Sequence, residues 1–184
     1  MVLLASKICD FGQKPTNFLL KSVDDQFYDW NKVKGKTGTL VMFICNHCPY
    51  VKAVIKELVT TCKSLEELGV NSVAIMANDT TNYPEDSFKN MKIFSNSNKF
   101  NFPYLYDEFQ KTAEAFQAVC TPDFFGYNSN DELQYRGRLF ELKDLKIKNK
   151  SENELLNAMT KISNSGRGPL NQNPSMGCSI KWKT

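Results

Sequence analysis

Apolar and polar positions alternate along the chain in two rhythms, one of strands and one of helices. Residues 17–20 and 26–28 are short apolar stretches around Asp24-Asp25, the pattern of an N-terminal β-hairpin. Thr39 to Ile44 is a continuous apolar run after Gly35 and Gly38, as expected of a central strand covered on both faces. From Pro49 to Leu68 the apolar residues Val51, Val54, Ile55, Leu58, Val59, Cys62 and Leu65 recur in steps of three and four, a helical stripe closed by Gly69. Val70–Ala77 reads as a second strand. Pro84-Glu85-Asp86 has the chemistry of a first helical turn, with Phe88, Met91 and Phe94 facing inward. After a short strand at Tyr104–Tyr106, the Asp107/Gln110 spacing suggests a capping box before a helix burying Phe109, Ala113, Phe116 and Val119. Phe124–Asn128 and Leu133–Leu139 flank a turn at Ser129-Asn130-Asp131 and read as a hairpin. Ser151 with Glu154 would cap a last helix carrying Leu155, Met159 and Ile162, and residues 166–184 read as an irregular C-terminal tail. The order predicts a mixed α/β sandwich formed by a single domain over residues 1–184.

Composition narrows the class without naming a function. The 184 residues are 41% hydrophobic and 23% charged, a globular profile that excludes collagen, coiled coil and disorder. Net charge is +3 with no block of like charge, so no nucleic-acid footprint is present, and no apolar run approaches a membrane span. The start, Met-Val-Leu-Leu-Ala-Ser-Lys, lacks the parts of a signal peptide, and the expectation is a cytoplasmic protein with mostly reduced thiols.

The unusual entries in the composition are six cysteines and a single histidine. Cys45-Asn46-His47-Cys48 lies where the apolar strand gives way to the amphipathic helix. Strand carboxyl ends gather chemistry in α/β sheets, and a helix N-terminus offers unpaired N–H groups and partial positive charge that favour thiolate over thiol. The expected roles are Cys45 as the more exposed nucleophile, Cys48 as the resolving thiol and His47 as a stabiliser of the first thiolate. A Cys-x-x-Cys is also half of a zinc site, and inert core thiols are a third reading.

The segment Phe43-Ile44-Cys45-Asn46-His47-Cys48-Pro49-Tyr50-Val51-Lys52 resembles the active-site stretch of the thioredoxin-like, peroxiredoxin-like proteins of the AhpC/TSA superfamily. The likeness continues through Asn82–Ser87, Val119–Phe125, Tyr135–Arg138 and Pro174–Trp182, five blocks in the same order over nearly the whole chain. It implies a thioredoxin-like fold, with a central mixed sheet flanked by helices. It also makes Thr121-Pro122 the counterpart of a cis-proline loop facing the cysteine pair, which would bring Cys120 close to Cys45. Residues 139–148 look short and altered beside that family.

Peroxiredoxins of this superfamily carry Pro-x-x-x-Thr-x-x-Cys. Aligned on Cys48 those positions hold Val41 and Cys45, and aligned on Cys45 they hold Gly38 and Met42, so neither register supplies the motif. Thiol–disulfide exchange therefore ranks above peroxide reduction by Cys48 or Cys45, with Arg136 or Arg138 as candidates to approach the pocket. A zinc- or partner-binding module is a further alternative. No bound cofactor is expected; the partners would be a thioredoxin-like or glutathione reductant and a disulfide or peroxide substrate. Nothing specifies an interface, though a homodimer fits the resemblance. Among the other thiols, Cys120 and Cys178 are candidate auxiliaries, Cys62 reads as core on its helical stripe, and Cys9 has no role. Helix capping suffices for Glu85 and Asp86.

Overall fold

The structure is a computed structural model that describes residues 2–183. In chain order its elements are β1 (Leu3–Ala5), β2 (Leu19–Ser22), β3 (Phe27–Asp29), α1 (Trp30–Val33), β4 (Gly38–Phe43), α2 (Pro49–Glu67), β5 (Val70–Met76), a 3-10 turn at Pro84–Asp86, α3 (Phe88–Ser97), β6 (Tyr104–Tyr106), α4 (Lys111–Ala115), β7 (Cys120–Thr121), β8 (Asp123–Asn128), β9 (Leu133–Tyr135), β10 (Leu142–Lys143), β11 (Lys146–Ile147), α5 (Glu154–Ser165) and β12 (Met176–Ser179). Seven strands form the central sheet in the order β3-β2-β6-β5-β4-β8-β9. β4, β5 and β6 run parallel, and β2, β3, β8 and β9 add antiparallel pairings, so the sheet is mixed as expected.

Every residue of β4 is buried, because side chains alternate between two cores. Leu40 and Met42 join the side covered by α2 and α5, with Leu58, Leu65, Leu155, Met159 and Ile162. Val41 and Phe43 join the opposite side, with Trp30, Ala113, Phe116 and Phe125. Helix α2 buries Val51, Val54, Ile55, Leu58, Thr61, Cys62 and Leu65, close to the stripe its spacing predicts.

Several local expectations are corrected. The helix expected from Pro84 onward is two pieces: Ser87 at φ −54°, ψ 152° separates the 3-10 turn from α3. The break turns Asp86 inward to accept hydrogen bonds. Asp107 does not cap a helix at its own position. Its Oδ2 instead accepts from Ala113 N at 2.8 Å, Gln110 precedes a short α4, and Phe109 is exposed. Asn153, not Ser151, caps α5, accepting from Leu156 N at 2.9 Å. Residues 142–147 form a small hairpin, β10–β11.

The largest correction concerns the C-terminal segment. Within 166–184, which reads as irregular, Met176–Ser179 is strand β12, the middle of a second sheet β1-β12-β7. Cys178 lies opposite Leu3 on one side and Thr121 on the other. Gly177 allows this approach, since a Cβ there would run into the backbone carbonyl of Thr121. Hydrophobic periodicity cannot find such a strand: it is four residues long and paired only with other short segments.

Candidate active site

The cysteine pair sits past the carboxyl end of β4, where Ile44 N donates to Ile75 O at 3.1 Å and hands the chain over to α2. Cys48 is the residue just before Pro49, the first of α2, and Lys52 N donates to its carbonyl at 3.0 Å. Proline suits that first position, where its missing N–H costs no hydrogen bond. The free amides of the first helical turn are therefore directed at the Cys48 end of the motif.

Three sulfurs converge here. Cys48 Sγ lies 2.9 Å from Cys178 Sγ and 3.1 Å from the carbonyl of Thr121. Cys45 Sγ lies 3.4 Å from Thr121 Oγ1 and 4.0 Å from His47 Nδ1. All six cysteines are thiols. The Thr121–Pro122 bond is cis, as the resemblance implies, and Thr121 is the residue of that loop that touches both members of the pair.

Exposure differs from the sequence expectation. Cys45 is 1% and Cys48 0% exposed, so neither is the open thiol of the pair. The Cys48 thiol is brought down to about 5, first by the hydrogen bond Cys45 gives it, against the cost of burial, then by Cys178 and the Val51 amide. Cys45 is pushed well above the usual thiol value by that same bond, by burial and by the charge of Asp86. Helix amides at Cys48 and a buried carboxylate near Cys45 both act in this direction, while the Thr121 carbonyl, 3.1 Å from Cys48 Sγ, accepts the hydrogen of the Cys48 thiol.

Asp86 organises the rest of the site. It is fully buried, and both of its oxygens are saturated: Oδ1 accepts from Asn46 N at 2.8 Å and His47 N at 3.3 Å, and Oδ2 from His47 Nδ1 at 2.7 Å and Asn78 Nδ2 at 2.8 Å. The Asp86 carboxylate raises the affinity of His47 for its proton, against the opposing effect of burial. The imidazole stacks on Tyr83, with 5.6 Å between centroids and 9° between planes. Asn46 is fixed by Tyr104, whose hydroxyl donates to Oδ1 at 2.9 Å, and by its own Nδ2 donating to Glu85 O at 3.0 Å. Sequence reasoning assigned Asp86 to helix capping and gave Asn46, Asn78, Tyr83 and Tyr104 no role. The only signal was the Asn82–Ser87 block of the resemblance.

The remaining candidates separate cleanly. Cys62 is core, with Sγ 3.9 Å from Met42 Sδ and its thiol pushed up to about 12 by burial. Cys9 is only partly buried and its thiol is pushed up to about 11, chiefly by desolvation. Cys120 is buried with Sγ 3.6 Å from the carbonyl of Pro122, and desolvation raises its thiol. Arg136 is held in a buried ion pair with Asp123 at 2.9 Å and lies over the Phe125 ring. Arg138 pairs with Glu154 at 2.7 Å.

Cys45, His47 and Asp86 together bring a thiol, an imidazole and a carboxylate within 4.8 Å of one another, a donor set zinc accepts. The fit is poor, because each Asp86 oxygen already takes two N–H donors and His47 Nδ1 is one of them. Among the described residues no helix is long and apolar enough to cross a membrane.

A family model described as the AhpC/TSA family matches residues 11–150. No curated protein matches the chain. Among solved structures, an uncharacterized conserved protein from Geobacillus kaustophilus is similar at 40% identity and a TM-score of 0.91, over 100% of this chain and 97% of its own. A hypothetical protein from Sinorhizobium meliloti is similar at 28% identity and 0.90, over 98% of each. The thioredoxin domain of a thiol-disulfide oxidoreductase from Bacteroides vulgatus, at 14% identity and 0.63 over 86% of this chain and 99% of its own, shows that the fold is thioredoxin-like.

Proposed function

The chain belongs to the AhpC/TSA family, and from that premise we propose that it is a thiol–disulfide oxidoreductase cycling between dithiol and disulfide at Cys45 and Cys48. The observation that carries this is a pair of buried thiols at a helix N-terminus held by one residue of the cis-proline loop, with the Thr121 hydroxyl 3.4 Å from Cys45 Sγ and its carbonyl 3.1 Å from Cys48 Sγ. Cys45 gives up its proton and becomes the nucleophile, and that proton is the one the departing substrate thiolate takes up. Cys45 lies beside His47, whose side chain is 18% exposed, so a substrate disulfide approaches along the His47–Tyr83 side. The Cys45 thiolate attacks one substrate sulfur, and the other leaves as a thiolate that takes up a proton. Cys48, deprotonated, then attacks Cys45 Sγ, expels the second substrate thiolate and closes the Cys45–Cys48 disulfide. A thioredoxin-like or glutathione system in a reducing compartment returns the two electrons, and no bound cofactor takes part.

Peroxide reduction by Cys48 is the second reading, favoured by that thiol's pKa of about 5. Against it, Arg136 is committed to Asp123 and Arg138 to Glu154, and Val41 and Cys45 stand where the peroxide motif needs proline and threonine. Turnover of an aromatic disulfide and of hydrogen peroxide, measured side by side for the native protein and its Cys45→Ser and Cys48→Ser variants, tests the proposal. Disulfide reduction lost in both variants supports it. Fast peroxide consumption that survives Cys45→Ser would favour the peroxidase.

A further inference from the structure

The third sulfur at the site has no part in that cycle, yet it is placed as carefully as the other two. Cys178 Sγ stands 2.9 Å from Cys48 Sγ, close enough for bond formation with only a small shift, since a disulfide bond is about 2.05 Å. Its strand is held on both edges, Cys178 facing Leu3 in β1 and Thr121 in β7, and Thr121 is the residue that touches Cys45 and Cys48. Gly177 sets the closeness of β12 to Thr121. Beyond the strand, Lys181 N donates to Asn78 Oδ1 at 2.9 Å and Asp79 N donates to Lys181 O at 2.8 Å. Asn78 is also a donor to Asp86, so the segment carrying Cys178 is tied to the carboxylate that holds His47.

Building on the Cys45–Cys48 cycle, we propose that Cys178 is a third redox thiol, which exchanges with the Cys45–Cys48 disulfide to form an alternative Cys48–Cys178 disulfide. The Cys178 thiol loses its proton and attacks Cys48 Sγ. The Cys45–Cys48 bond breaks as the Cys48–Cys178 bond forms, and Cys45 leaves as a thiolate that takes up the proton Cys178 gave. No electrons are gained or lost, so no oxidant beyond the one that made the first disulfide is needed. In the reduced site Cys178 is held protonated, its pKa pushed up to about 12 by burial first, then by the hydrogen bond with Cys48 and by the Cys48 charge. Disulfide formation removes that charge. The exchange carries the oxidised pair from the motif to the C-terminal strand and returns Cys45 to the thiol state beside His47.

Cys45→Ser isolates the step, because it leaves Cys48 and Cys178 as the sulfurs in contact. The full-length variant is treated with oxidised dithiothreitol, and its peptides are mapped without reduction. The dominant product expected is a Cys48–Cys178 linkage within one chain, with both thiols lost to alkylation together. Separately alkylated Cys48 and Cys178, or linkage only between chains, would overturn the proposal. In the native protein, oxidised and equilibrated, both the 45–48 and the 48–178 linkages are expected, and a 45–48 linkage alone would overturn it even if the variant failed to fold. Absence of the 45–48 linkage in the native protein would instead defeat the underlying cycle, which keeps the two failures distinct.

Discussion

Asp86 takes a hydrogen bond from His47 Nδ1 at 2.7 Å while also accepting the backbone amides of Asn46 and His47, so a single buried carboxylate fixes the two residues between the paired cysteines. The relationship ties the redox motif to the loop after β5. Replacing the carboxylate by the amide in Asp86→Asn leaves several donors facing an uncharged group. A loss of about 1–3 kcal/mol in unfolding free energy is expected, together with a fall in the His47 pKa. Urea unfolding and imidazole proton NMR measure the two. A His47 titration unmoved by the substitution would show that the carboxylate does not set it.

The same pair gives stability a pH dependence of known sign. His47 binds its proton more tightly in the folded chain than in the unfolded one, because of Asp86. Its contribution is complete below the unfolded imidazole value of about 6.5 and fades as pH rises through the higher folded value. In a Cys45→Ser/Cys48→Ser background, which removes thiol titration from the site, the urea midpoint is expected to drop between pH 6 and pH 9. Adding His47→Asn should flatten that drop. A midpoint that rises over this range, with the rise abolished by His47→Asn, would reverse the sign of the interaction.

Gly177→Ala tests how the third sulfur is held. The added methyl meets the Thr121 carbonyl, so β12 must move, at a cost of about 1–3 kcal/mol, as overpacking usually exacts. Non-reducing peptide maps should show the 48–178 linkage reduced at least severalfold, with the 45–48 linkage kept. Equal retention of both linkages would mean that β12 does not position Cys178.

Cys62→Ser is the contrasting case. The hydroxyl would sit beside Met42 and the buried Ser72 hydroxyl, which has no other partner, and a loss of about 0.5–2 kcal/mol is expected for burying a more polar group with partial compensation. Disulfide turnover should be unchanged. A variant that folds normally but turns over disulfides severalfold more slowly would give Cys62 a redox role that its surroundings do not suggest.

Much of the fold was legible because it rests on periodicity. The run Thr39–Ile44 and the stripe from Val51 to Leu65 each carry enough apolar residues to fix an element and its buried face. Cys45 and Cys48 were legible because their junction has a local chemical signature. Asp86 was not, since an acid after Pro84-Glu85 looks the same in sequence whether it caps a helix or turns inward. The surroundings of the two thiols were hidden for a related reason: Asp86 and Cys178 are brought to the motif by contacts across 40 or more residues in the chain. Strand β12 escaped because short pairing segments leave no periodic trace, and it carries the thiol that completes the cluster.

The central claim rests on two sulfurs changing state together. Native protein, fully reduced and then treated with oxidised dithiothreitol, can be alkylated, digested without reduction and mapped at all six cysteines. The expected result is an intramolecular linkage joining Cys45 and Cys48 in the oxidised sample only, with Cys62 thiol-bearing throughout. Absence of any linkage between Cys45 and Cys48 after oxidant treatment would contradict the dithiol–disulfide cycle.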